Sequence, residues 1–265
     1  MRIRPRNNLL HLAVIDNRPE EVKRLLKTPS LLSGLNKEGF TPLQLARLLG
    51  RKKCESAMHT LLDRTILIQE QGDLKPRSIS IKEFTELFQV PYFDTLRFRS
   101  YSTLQLAVKS RPYILRIPGI ENQELGEVYT NELKQGFVAP CSIRWLNDQI
   151  HYGLVADKDF DEGEWIGEYT GVVREYLRIQ PDHNPYCLHY PTRFWSFRYF
   201  MIDAYLGGNE TRFINHSDEP NLAPQCLVKD RLLHTVFFTS KKIRKGEQLT
   251  FDYGKDFWRH RKKLG

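Results

Sequence analysis

The chain has no CxxC pair. Its four cysteines, Cys54, Cys141, Cys187 and Cys226, are scattered through 265 residues. That spacing argues against both a disulfide framework and a zinc cluster, and it fits reduced thiols in a cytoplasmic or nuclear compartment. No apolar run approaches the roughly 20 residues that span a bilayer, so no membrane partner is expected. The opening MRIRPRNNLLHLAV is basic, but its apolar part is short and broken by His11, which argues against a signal peptide. Long helical segments are also missing between the strand-like runs of the second half, which disfavours a doubly wound parallel sheet. With 40% hydrophobic and 27% charged residues, the chain suits a globular protein of one or two domains. A formal charge of +8 leaves direct nucleic-acid binding open, but a solvated basic surface is the simpler account of it.

The front of the chain repeats. LLHLAVIDNRPEEVKRLL aligns with PLQLARLLGRKKCESAMHTLL, so that Leu10 and Ala13 match Leu43 and Ala46 at a spacing of 33. Leu12, Ala13, Val22, Leu25 and Leu26 fall at helical spacings, and the two alanines are small enough for close helix packing. The period and the stretch GFTPLQLA resemble ankyrin repeats. Two repeats bury too little surface to stand alone, so residues 1–62 are expected either to cap the rest of the molecule or to form a partner-binding module. Residues 63–136 form a connecting region of unclear fold. Within it SIKEFTELF predicts an amphipathic helix with Ser80 as N-cap and Glu83 three residues on. STLQLAVKS predicts a helix, and RPYILRIPG a short strand bounded by prolines.

From about Phe137 the pattern changes to short β-rich runs separated by turns. HYGLVADKDFDEGEWIGEYTGVV reads as strand, acidic turn, strand. FMIDAYLGGNETRFINHS reads as strand, glycine turn and a short helical or loop segment, and HTVFFTSKKIRKGEQLTFDYG as strand, basic turn, strand. The stretch RFINHSDEPN joins apolar residues to a polar run in which Pro220 stops any helix. The predicted class is α+β: a mostly-β domain over residues 137–265, preceded by a helical region.

The ordered motifs GLVA, GEWIGEYTG, RFINHSDEPN and GEQLTFDYG resemble those of SET-domain protein lysine methyltransferases, over about 110 residues from Ser142 to Gly254. The resemblance implies a C-terminal pseudoknot that brings RFINHS beside FDYG, and it implies S-adenosylmethionine as cofactor. Arg212, Asn215 and His216 would then belong to the cofactor site, Asn215 through its amide and His216 through its backbone. An amide suits a zwitterion because it both donates and accepts without adding charge. Tyr152, Gly153 and Leu154 would supply backbone contacts. His151 takes the place of the family's first glycine there, and histidine tolerates positive φ less well. Tyr186 aligns with a cofactor-touching tyrosine or is an ordinary core residue.

Tyr253 matches the catalytic tyrosine, and Tyr169 a second tyrosine lining the lysine channel. Phe251, two residues before Tyr253, implies room for di- or trimethylation. No cysteine follows FDYG, so the family's zinc cluster is not expected. Trp258 and Phe257 are candidates for an aromatic lid or for packing against the core.

The implied partner is a protein substrate with a target lysine, either a histone tail or a non-histone protein. Six acids between Asp157 and Glu168 either steer a basic peptide or form a solvated hairpin. Ankyrin-like repeats joined to a SET domain without the zinc cluster resemble proteins of intracellular bacteria that modify host chromatin or their own, and the first of these implies delivery into a host cell. A catalytically silent scaffold and an interaction adaptor are the alternatives.

Overall fold

The computed structural model describes residues 6–58, 64–114, 121–176, 184–191 and 199–258, with backbone alone for 110–114, 121 and 256. Four short helices open the chain: α1 (Leu9–Ile15), α2 (Pro19–Leu25), α3 (Pro42–Leu48) and α4 (Lys52–Met58). The second pair starts 33 residues after the first, and the repeat extends to the caps. Asn8 accepts from the His11 N–H and Thr41 from the Gln44 N–H, and each third residue returns the bond, giving two complete capping boxes. Leu10, Ala13 and Val22 of one pair and Leu45 and Ala46 of the other are buried.

The connecting stretch holds β1 (Thr65–Gln69), β2 (Arg77–Ser80), α5 (Ile81–Phe88), β3 (Arg97–Phe98), α6 (Tyr101–Ile114), α7 (Glu121–Val128) and α8 (Thr130–Gln135). Helix α5 begins at the predicted Ser80–Glu83 capping box. The strand expected at RPYILRIPG is corrected, because residues 111–114 continue α6 and the remainder lies outside the described residues. Leu104, Ala107 and Val108 are buried at helical spacing just before it, and that period carries through.

Then follow β4 (Cys141–Asn147), β5 (His151–Ala156), β6 (Trp165–Glu168), β7 (Val172–Tyr176), β8 (Cys187–Tyr190), β9 (Tyr199–Asp203), β10 (Asn215–His216), β11 (Leu222–Lys229), β12 (Leu232–Thr239), β13 (Thr250–Phe251) and α9 (Lys255–Trp258). They form small sheets: β2-β1-β4-β5, β3-β7-β9-β8, β11-β12-β6 and the pair β10-β13. Most pairings are antiparallel, as the short strand–turn–strand patterns predict. The exceptions join distant segments. Strand β1 runs parallel to β4, and β3 parallel to β7, so the connecting stretch is woven into the sheets of the second half.

One apolar core runs from Leu10 in α1 to Phe251 in β13. Polar ties fix the helical front to the sheets. The Arg97 guanidinium donates to the Arg47 carbonyl, the Tyr101 hydroxyl to Glu38 at 2.7 Å, and Arg231 to the Lys37 and Glu38 carbonyls at 3.1 and 3.0 Å.

Candidate active site

RFINHSDEPN is held by a pairing that joins it to β13, the last strand among the described residues. Strand β10 runs parallel to β13, with Asn215 opposite Thr250 and His216 opposite Phe251. Asn221 secures the junction: its amide donates to the Gln248 carbonyl at 2.8 Å and accepts from the Thr250 N–H at 2.9 Å. Phe213 anchors the approach, its ring 4.7 Å from Phe88 and 6.2 Å from Phe84. The polar loop is rigid because an aromatic cluster holds one end and a strand pair the other.

A cavity of about 860 Å³ opens against this junction, within the usual size for a small-molecule site. Tyr152, Tyr169, Tyr186, Arg212, Asn215, His216, Phe251, Tyr253 and Trp258, each singled out from the sequence, all line it. Gly153 and Leu154 do not. Gly153 lies just behind, where a Cβ would come 2.5 Å from Leu146 Cδ1 and 3.0 Å from the Asn215 amide nitrogen. Leu154 packs in the core. Its side chain is wholly buried and its carbonyl is taken by the Leu249 N–H at 2.8 Å, because residues 247–249 pair along the outer edge of β5.

The two phenols are oriented by backbone carbonyls. The Tyr253 hydroxyl donates to the Ile214 carbonyl at 2.9 Å, and the Tyr169 hydroxyl to the Tyr186 carbonyl at 2.9 Å. Each therefore has oxygen lone pairs left to accept a further bond. Burial pushes both phenols above the ordinary tyrosine range; Tyr253 adds to the effect on Tyr169, and Tyr186 to that on Tyr253. Both stay protonated at neutral pH and cannot serve as strong bases there.

The Asn215 amide donates to the Tyr152 carbonyl at 3.1 Å. His216 Nδ1 lies 3.2 Å from the Tyr253 N–H, which places the ring proton on Nε2, 3.2 Å from Asp218. The Arg212 guanidinium lies 4.4 Å above the Tyr186 ring and donates to the Ala204 carbonyl, and burial lowers its pKa. Beyond Tyr253, Phe257 and Trp258 extend the aromatic cluster: Phe257 meets the Tyr253 ring edge-on at 4.6 Å and Trp258 is tilted against His216 at 4.7 Å.

Sequence reasoning missed Phe88, Gln89 and Val90, which form part of the cavity wall. They come from the stretch to which no chemistry was assigned, and the amphipathic pattern of α5 gives no sign that its C-terminal end reaches a site. The acids of the 157–168 hairpin are largely spoken for. Asp157 pairs with Arg144 at 2.6 Å and Glu164 with Lys158 at 2.6 Å, and Glu168 is buried against His234. That supports the solvated hairpin over a steering surface.

Comparisons with known proteins find relatives of this stretch of the chain. Residues 151–254 match the SET domain family. The mouse histone-lysine N-methyltransferase SETD2 is 30% identical over 214 residues, 65% of this chain and 8% of that protein. The putative histone-lysine N-methyltransferase ASHH4 of Arabidopsis thaliana is 37% identical over 115 residues, covering 40% of this chain and 31% of the relative. An H3 lysine-36 specific histone-lysine N-methyltransferase of Saccharomyces cerevisiae is 36% identical over 113 residues, 40% of this chain and 15% of that protein. A crystal structure of KRYPTONITE in complex with mCHH DNA, H3(1-15) peptide and SAH is 31% identical, covers 43% of this chain and 23% of that one, and superposes with a TM-score of 0.35. The chain thus carries a SET domain and has histone-lysine methyltransferase homologues, and it spans between 8% and 31% of the length of these three relatives.

Proposed function

We propose that the protein is an S-adenosylmethionine-dependent protein-lysine N-methyltransferase acting on a histone-type lysine. The observation that carries this is the meeting of Asn215 and Tyr253 in one cavity, through the parallel pairing of β10 with β13. That pairing also supports the threaded C-terminal pseudoknot.

The lining suits the cofactor. The close approach of the Asn215 amide to Gly153 leaves a cradle that a Cβ would fill, an amide and backbone groups are available for an amino-acid zwitterion, and Trp258 and Phe257 offer π faces to an adenine. When bound, S-adenosylmethionine supplies a methyl group on a positively charged sulfonium. The chain's own residues must then present a neutral amine. A free lysine with a pKa of ~10.4 is neutral in roughly one molecule in 2,500 at pH 7, a handicap of about 4.6 kcal/mol. The apolar walls formed by Phe251, Tyr169 and Tyr253 strip water from the ammonium and so favour its neutral form. Tyr253, its own proton committed to the Ile214 carbonyl, accepts an N–H from the amine and fixes its direction. It positions rather than deprotonates.

Phe251 is buried and packs 4.7 Å from Tyr253 and 4.8 Å from Phe237, so no hydroxyl at that position holds a water against a methylated amine. This supports di- or trimethylation. For the front of the chain, the 33-residue offset of two capped helix pairs supports ankyrin-type repeats, and their union with a SET domain supports the reading of a bacterial effector. Incubation with labelled cofactor and core histones, followed by mass-spectrometric mapping, should find a modified lysine that progresses beyond one methyl group. Product that stops at one methyl would overturn the role given to Phe251.

A further inference from the structure

His151 occupies the left-handed region, with φ of +62°. It closes the β4–β5 hairpin, pairing with Asn147 across a three-residue loop, where glycine is the natural occupant. A histidine there forgoes stability that glycine would supply. Yet its imidazole is neither tucked into the core nor adrift. It is exposed, it lines the same cavity as Asn215 and Tyr253, and the Trp145 ring holds it at 5.2 Å in an edge-on arrangement. Among the described residues, no hydrogen bond within the chain occupies it.

We propose that His151 is a cofactor-contacting residue of this cavity, its imidazole hydrogen-bonding an oxygen (hydroxyl or carboxylate) of the bound S-adenosyl compound. The inference rests on the methyltransferase reading. It adds a side-chain contact at a turn for which the family resemblance implies backbone contacts alone. A strained residue that points a preordered polar ring into a cavity is where conformational cost and binding are exchanged. Trp145 reduces the ordering cost further by fixing the ring before the ligand arrives.

The test is calorimetric titration of the full chain with S-adenosylhomocysteine, alongside thermal denaturation without ligand. His151→Gly should raise the melting temperature and weaken binding by about tenfold, the loss of one hydrogen bond. A purely structural histidine gives the first effect without the second. His151→Asn, which tolerates the left-handed region and keeps hydrogen-bonding capacity, should recover part of the affinity. Wild-type affinity in His151→Gly overturns the proposal while leaving the methyltransferase reading intact. Wild-type protein that fails to bind S-adenosylhomocysteine overturns both.

Discussion

His234 and Glu168 meet at 2.6 Å, both buried, at the seam between β12 and β6. Burial alone would lower the His234 pKa, but the adjacent Glu168 carboxylate, with smaller help from Lys229 and Asp230, outweighs it and the net shift is upward. A raised folded-state value means the pair's contribution to stability is complete below about pH 6.5 and is lost as pH climbs through the folded pKa. The melting temperature should therefore fall with rising pH across that window. Glu168→Ala should flatten this slope and cost about 3–5 kcal/mol, because it leaves a buried imidazole without its partner. A retained slope in that variant would assign the effect to other groups. The tyrosines give a second prediction at this scale. With Tyr253 and Tyr169 both raised, methyl transfer should increase from about pH 7 to about pH 10 as substrate lysine loses its proton, with no falling limb from phenol ionisation. A pH–rate profile that turns over near pH 9 would contradict it.

At the scale of elements, the site depends on β5 lying close behind β10. The Asn215 amide reaches the Tyr152 carbonyl because Gly153 leaves that space open. Gly153→Ala should displace the amide and weaken S-adenosylhomocysteine binding by about tenfold with little change in fold, measured by calorimetry and circular dichroism. Unchanged affinity would separate Asn215 from the cofactor. Much of this arrangement was legible in advance. Asn215, His216, Tyr169 and Tyr253 sit in short motifs whose family resemblance implied their meeting, and the Ser80 cap was marked by local residue types. Phe88 and Val90 were not legible. Their place in the wall follows from the parallel pairing of β1 with β4, a contact between segments about 75 residues apart that no local periodicity encodes. The helical end of α6 was misread for the opposite reason. Two prolines and an aliphatic run suggest a strand locally, while the helical period that overrides them begins ten residues earlier.

At the scale of the whole molecule, the helical front is part of the fold's support. Its core is continuous with that of the sheets, and Arg97, Tyr101 and Arg231 all lose a partner if it is removed. Deletion of residues 1–58 should expose the buried faces of α6 and β3 and lower the melting temperature by at least about 5 °C, since more than about 2 kcal/mol of packing is lost. A truncated protein as stable as the full chain would mark the front as an independent module. The central claim concerns the cavity, and one comparison tests it: tritium transfer from labelled S-adenosylmethionine to core histones by wild type and Tyr253→Phe, each brought to saturation with cofactor. The account predicts transfer by the wild type and a loss of roughly 10²-fold or more in the variant, with cofactor affinity preserved. Equal transfer by both proteins, or none by a wild type that binds the cofactor, would contradict it.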